Sequence, residues 1–277
     1  MGSLVTALAS WVDARQHGGE WLLRIEDIDP PREVPGAPQQ IINALHAHGL
    51  HWDGDISFQS ERSAHYDAAL EQLRQRKQLY ACQCTRKQLR TLAASTGSAA
   101  YPGTCSTLDL DNSNLPLRVR ISSNETIFTD LNAGSLQENV AATVGDFIIR
   151  RRDFLYAYQL AVVVDDALQN ITHVVRGADL LDNSPRQIVL QRLLGYPTPH
   201  YLHLPLVNNA EGNKLSKQTG AAALDNHTPL ANLQKAWGYL GQSAVSASTK
   251  VSEFLNAAVT VWQRDNIPKI DAAMFHF

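Results

Sequence analysis

The chain has 277 residues, 44% of them hydrophobic and 18% charged. That balance supports one large globular unit or two ordinary ones and excludes a disordered chain. A net charge of −3 excludes a protein that coats nucleic acid over its whole surface, so any RNA contact must be a local basic patch.

At the start of the chain, Leu4, Leu8, Trp11 and Val12 fall on one helical stripe, which predicts an amphipathic helix over 3–16 closed by Gly18 and Gly19. Trp11, Asp13 and Arg15 follow too closely for a signal peptide, and apolar runs such as 160–164 are too short to span a bilayer. A cytoplasmic protein is expected. A short strand is predicted over 20–25. The prolines at 30, 31 and 35 then exclude regular helix, and helices are predicted over 38–48 and 60–77.

From 79 to 146 the pattern changes to short β-like pieces, 117–121 and 126–131, between Gly-, Ser- and Asn-rich turns. This stretch reads as an inserted subdomain. Beyond it come a strand over 147–150, a helix over 156–168, a strand over 171–176, a helix over 184–194 and a strand over 202–207; the tail from 229 is helical in pattern. The implied organisation is 1–78 and 146–220 as two parts of one domain, 79–145 as the insertion, and 221–277 as a helical tail. Alternating helices and strands predict a parallel α/β sheet with ligands at the C-terminal ends of its strands.

Cys82, Cys84 and Cys105 are the only cysteines, spaced C-x-C, twenty residues, C. An odd count does not make a disulfide framework, while three close thiolates suit tetrahedral Zn²⁺. No histidine lies between them to complete the set. Tyr101 is within reach, although phenolate is an uncommon zinc ligand, and three incidental buried thiols remain an equal reading. Glu26 lies at one strand exit and Arg176 at another; an acid for an ammonium and an arginine for a carboxylate suit an amino-acid ligand. Tyr158, at a helix start, can add a hydroxyl. The alternatives are an ion-pair network and a core tyrosine. Lys214, Ser216 and Lys217 lie on a Gly-containing loop that can present two ammonium groups and a hydroxyl to a polyphosphate; without the Walker glycine spacing, a solvated loop is the competing reading. Basic residues at 74, 76, 77, 86, 87 and 90, and at 150–152, are candidate RNA patches or solvated faces.

Trp21-Leu-Leu-Arg-Ile-Glu-Asp-Ile-Asp-Pro-Pro-Arg, Asp146-Phe-Ile-Ile-Arg-Arg, Ala157-Tyr-Gln-Leu-Ala-Val-Val-Val-Asp-Asp, Thr172-His-Val-Val-Arg-Gly-Ala-Asp, Pro185-Arg-Gln and Lys214-Leu-Ser-Lys occur in the order found in glutamyl-tRNA synthetases, which the chain resembles over 1–220. The early end, Glu33-Val-Pro-Gly-Ala and the C-x-C…Tyr-x3-Cys cluster resemble the shorter glutamyl-Q tRNA(Asp) synthetase family, which joins glutamate to the queuosine base of tRNA(Asp).

The resemblance implies a Rossmann-like class I synthetase catalytic domain with an inserted zinc-containing subdomain and a short helical C-terminal tail, acting as a monomer. It implies activation of L-glutamate with ATP and Mg²⁺, then transfer to tRNA(Asp). Glu26, Tyr158 and Arg176 would bind glutamate. Lys217, supported by Lys214 and Ser216, would contact ATP, and Gly2 and Ser3 at a helix N-terminus would offer amides to phosphate. Cys82, Cys84, Tyr101 and Cys105 would hold Zn²⁺. The family begins with a strand and a Pro-Ser-x-Ser-Gly-x-Leu-His-x-Gly-Ser segment, of which Met1-Gly2-Ser3 matches the end, so a first strand and a phosphate-binding histidine are expected to be missing. A non-catalytic remnant binding RNA or zinc, or a fragment of an ordinary glutamyl-tRNA synthetase, are the competing readings.

Overall fold

A computed structural model describes residues 1–111, 114–122, 125–207, 224–245 and 248–271. Helix α1 (Gly2–Gln16) buries Leu4, Val5, Leu8, Ala9 and Val12. Their partners are in the C-terminal helices α8 (Pro229–Tyr239) and α9 (Val251–Val261), where Trp237, Phe254 and Trp262 pack edge-on and tilted about one another. The first and last segments of the chain thus share one apolar core. Asp13 locks them together: it accepts from Trp262 Nε1 at 2.9 Å and from both Arg264 Nε and Nη2 at 2.7 and 2.8 Å.

A second core lies under the middle of the chain. It joins Tyr66, Leu70 and Leu73 of α3 (Ser63–Gln75) to residues 160–164 of α6 (Tyr158–Leu168) and to Leu190 and Leu194 of α7 (Ser184–Leu194). Asp165 is fully buried between α3 and α6. It accepts from Gln59 Nε2 at 2.8 Å, Arg62 Nε at 2.5 Å and Tyr66 Oη at 2.8 Å. A buried carboxylate with this many donors fixes one helix against the other.

The single parallel sheet expected from the alternation is replaced by three smaller sheets. Strand β1 (Arg24–Ile25) runs parallel to β2 (Ser57–Phe58), with α2 (Ala37–Ala47) between them in sequence. Strands β3 (Leu79–Ala81), β4 (Leu117–Val119) and β7 (Ile148–Arg150) form an antiparallel sheet. The third sheet has the order β6-β5-β9-β8. Here β8 (His173–Gly177) is parallel to β9 (His200–Leu204), β9 to β5 (Thr126–Asp130), and β6 (Gly134–Glu138) returns antiparallel. The parallel pairs come where helices connect the strands. The antiparallel ones come where the connections are short or where the middle stretch inserts. A groove separates the free edges of β1 and β8, so no ladder among the described residues joins the first sheet to the third.

The middle stretch is less β-rich than its composition suggests. Residues 86–96 form helix α4 (Arg86–Thr96), opened by a reciprocal capping box between Thr85 and Gln88 and closed by Gly97 in the left-handed region. A short helix, α5 (Val140–Thr143), follows β6. Among the described residues, no helix is long and apolar enough to cross a membrane.

Candidate active site and cysteine centre

The groove between β1 and β8 has a volume of about 700 Å³. Its walls come from the C-terminal half of α1, from 19–26, from α6 and from 171–176. Glu26, Tyr158 and Arg176 all line it, so the structure brings three sequence-predicted residues to one cleft. Each arrives there by its place in an element. Glu26 is the first residue past β1, Tyr158 begins α6, and Arg176 is the penultimate residue of β8. Gly2 and Ser3 stand at the N-terminus of α1, outside the groove's lining. Lys214, Ser216 and Lys217 lie outside the described residues.

On one side of the groove, Arg24 organises the acids. Its guanidinium donates to Asp166 Oδ1 at 2.9 Å, to Gln169 Oε1 at 2.7 Å and to Glu26 Oε1 at 3.4 Å. Burial pushes the carboxyls of Glu26 and Asp166 above their ordinary values, against the pull of Arg24. Burial also raises the Tyr158 phenol. On the other side, Arg176 is 7% exposed and, among the described residues, pairs with no carboxylate. It donates from Nε to His203 Nε2 at 3.0 Å and from Nη2 to Ser184 Oγ at 2.9 Å. Among the described residues, Nη1 has no acceptor. One wall therefore offers an acid held by an arginine and the other a cation that no described carboxylate pairs, a polarity that suits a zwitterion.

Sequence reasoning passed over Arg24 and Asp166, although both stand in the quoted strings, and it passed over Asp130 and His203 altogether. The signal for His203 was present: it is a lone polar residue in the apolar run Tyr201-Leu-His-Leu, and such a residue, when buried, needs a partner.

The second site lies in the middle stretch. Cys82, Cys84 and Cys105 carry their sulfurs within 4.8 Å of one another. The Cys84 and Cys105 sulfurs are 3.5 Å apart, and Tyr101 Oη lies 3.4 Å from Cys82 Sγ and 3.6 Å from Cys84 Sγ. A tetrahedral zinc with bonds of about 2.3 Å to sulfur and about 2.0 Å to oxygen sets sulfurs about 3.8 Å apart and oxygen about 3.5 Å from sulfur. The donor set fits the ion. Burial pushes the Cys84 thiol up to about 11. At Cys105 burial acts the same way but is outweighed by hydrogen bonds from Tyr101 and the Gln83 backbone, which leave that thiol below its ordinary value. Tyr101 is fixed by close backbone contact: its amide donates to Val144 O at 2.9 Å, and a Cβ on Gly145 would lie 2.0 Å from Tyr101 O, so only glycine fits there. The Arg118 guanidinium sits 3.7 Å above the Tyr101 ring.

Residues 1–250 match the model of the family described as tRNA synthetases class I (E and Q), catalytic domain. A protein of Verminephrobacter eiseniae named glutamyl-Q tRNA(Asp) synthetase is 50% identical over 272 residues, which cover 95% of this chain and 92% of that one. The chain belongs to the glutamyl-Q tRNA(Asp) synthetases, ligases of the class I family. A relative of the same name from Bordetella bronchiseptica is 52% identical over 268 residues, covering 94% of this chain and 84% of its own. Among solved structures, a glutamate tRNA ligase from Elizabethkingia meningosepticum, in complex with its amino acid, superposes with a TM-score of 0.81 at 24% identity. It is matched over 97% of this chain and 63% of its own length, which establishes a shared fold.

Proposed function

We propose that the chain activates L-glutamate with ATP and transfers it to the queuosine base of tRNA(Asp). The observation that carries this reading is the convergence of Glu26, Tyr158 and Arg176 on one groove, with Arg176 buried and, among the described residues, unpaired with any carboxylate. Glu26 takes the ammonium group of the amino acid and Arg176 takes one of its carboxylates, with the Tyr158 hydroxyl between them. The other carboxylate attacks the α-phosphorus of ATP; the bond to the β-phosphate bridging oxygen breaks and pyrophosphate leaves. Positioning and charge neutralisation drive this step more than proton transfer does. Lys214 and Lys217, with Ser216, neutralise the leaving pyrophosphate, a role implied by their sequence motif, and Mg²⁺ accompanies ATP as its counter-ion. A hydroxyl of the modified base then attacks the activated carbonyl and releases AMP.

Cys82, Cys84, Tyr101 and Cys105 would hold Zn²⁺, which there supplies a cross-link between the β3 end and the loop before β4. The support is the match of sulfur and oxygen spacings to a tetrahedron.

The test is aminoacylation of tRNA(Asp) and tRNA(Glu) in parallel with glutamate-dependent exchange of pyrophosphate into ATP. Exchange together with labelling of tRNA(Asp) alone is expected. Labelling of tRNA(Glu) instead assigns the chain to the ordinary synthetases, and absence of exchange removes the ligase reading for this chain. In the same assay Lys217→Ala lowers exchange without moving the unfolding transition; unchanged exchange removes Lys217 from the site.

A further inference from the structure

Arg176 is held from behind by a buried relay that reaches into the middle stretch of the chain. Its Nε–H donates to His203 Nε2 at 3.0 Å. An arginine Nε can only donate, so His203 Nε2 must present a lone pair, and the ring proton must sit on Nδ1. That proton points at Asp130 Oδ2, 2.6 Å away. Asp130 is in turn fixed on its other oxygen, Oδ1, which accepts the Asn132 and Ala133 amides at 2.9 and 2.8 Å. Asp130 and His203 are 1% and 0% exposed, so water does not compete for these bonds. The charged groups acting on the imidazole are Asp130 from β5, Arg176 from β8 and Asp179 from the turn after β8. Ser184, from the start of α7, holds the guanidinium at Nη2 at 2.9 Å.

We infer that Asp130 and His203 are positioning residues for Arg176: the carboxylate selects the Nδ1–H tautomer of a neutral imidazole, and that tautomer alone leaves an acceptor for the guanidinium. The inference rests on the reading that Arg176 holds a glutamate carboxylate, and it adds what aims it. The relay takes two donors of Arg176, at Nε and Nη2, and leaves Nη1 for the ligand. It also places a β5 residue, more than forty positions upstream in sequence, in control of a side chain at the end of β8.

The geometry foretells how an isosteric change acts. In Asp130→Asn the two backbone amides hold the amide oxygen at the Oδ1 position, so the amide NH₂ falls at the Oδ2 position and donates to His203 Nδ1. The ring proton then moves to Nε2 and meets the Arg176 Nε–H donor to donor. His203→Gln provides the conservative rescue, since its amide oxygen can take the Arg176 bond.

Two readouts test this, both on the full chain. The first is ¹⁵N NMR of the His203 ring at neutral pH. A neutral imidazole protonated on Nδ1 is expected, switching to Nε2–H in Asp130→Asn. An imidazolium, or a proton on Nε2 in the parent chain, overturns the relay whether or not glutamate binds. The second is calorimetric titration with L-glutamate and, separately, with ATP. Asp130→Asn should weaken glutamate binding by about 10- to 100-fold, the size of loss seen when the hydrogen bond supporting a metal-holding side chain is removed, and leave ATP binding unchanged. His203→Leu should do the same and His203→Gln should recover most of the affinity. Unchanged glutamate affinity in Asp130→Asn, or equal losses for glutamate and ATP, overturns the inference. A parent chain with the expected tautomer and no glutamate binding overturns the glutamate reading while the relay stands.

Discussion

The groove and the cysteine centre solve opposite problems. In the groove, Arg24 holds Asp166 and Glu26, whereas Arg176 is braced by neutral groups at two of its nitrogens. At the cysteine centre three soft sulfurs and one phenol oxygen face one another, at distances that are poor hydrogen bonds and good edges of a coordination tetrahedron. The groove is therefore organised by the protein's own ion pairs and hydrogen bonds. The cysteine centre has a donor set that fits an ion, and on the zinc reading proposed above its local structure would depend on that ion.

The sharpest break of this comparison is at the cysteine centre. Cys105→Ala should abolish zinc binding, measured as metal per chain by atomic absorption, and should melt the segment around α4. Structural zinc in small sites is worth about 10–16 kcal/mol of apparent binding energy, so the effect is the largest expected. A parent chain that purifies without zinc and takes up none on dialysis removes the metal and leaves two buried thiols and one half-buried thiol. Next in size is Asp165→Ala. It strips Gln59, Arg62 and Tyr66 of a shared buried acceptor and should cost about 3–5 kcal/mol in urea unfolding. A loss below about 1 kcal/mol would show that α3 and α6 are held by apolar packing alone.

Within the groove the expected effects are smaller and specific to the ligand. Glu26→Gln keeps the shape but removes the charge that faces an ammonium group, so glutamate affinity should fall about 10-fold or more while stability stays level. Equal affinity would confine Glu26 to the ion-pair network with Arg24. The smallest effect concerns the seam between α1 and the C-terminal segment. Burial raises the Asp13 carboxyl, but the bonds from Arg264 and Trp262 outweigh it and hold its pKa below the ordinary 3.8. A depressed folded-state value stabilises above the unfolded pKa and is lost as pH falls through the folded one. Stability should therefore decline below about pH 4 in the parent, and Asp13→Asn should flatten that decline while lowering stability at neutral pH; an unchanged acid limb would place the titration elsewhere.

Much of the candidate site's placement in one groove could be read from residues at strand exits. Glu26 and Arg176 announced themselves because a charged side chain just past an apolar run has one obvious place to go. The residues that support them did not. Asp130 lies in a segment that read as part of an insertion, and only the pairing of β5 with β9 brings it to His203. No local pattern encodes that pairing, since long-range contacts leave no periodicity behind. The helices at 2–16, 158–168 and 184–194 were legible from stripes and caps. Helix α4 was missed although Thr85, Gln88 and Gly97 spell out its ends, because turn-rich flanks drew the reading toward β structure. The division of the expected single sheet into three was not legible at all: it depends on the groove between β1 and β8, a feature of tertiary spacing.

The proposed activity requires one groove that binds both ends of an amino acid. Its most direct test is the rate of glutamate-dependent pyrophosphate exchange for the parent chain and for Arg176→Ala across a range of glutamate concentrations. The account predicts exchange in the parent and, in the variant, a glutamate KM raised about 100-fold or more with the ATP KM unmoved. Equal glutamate KM values for the two proteins would contradict it.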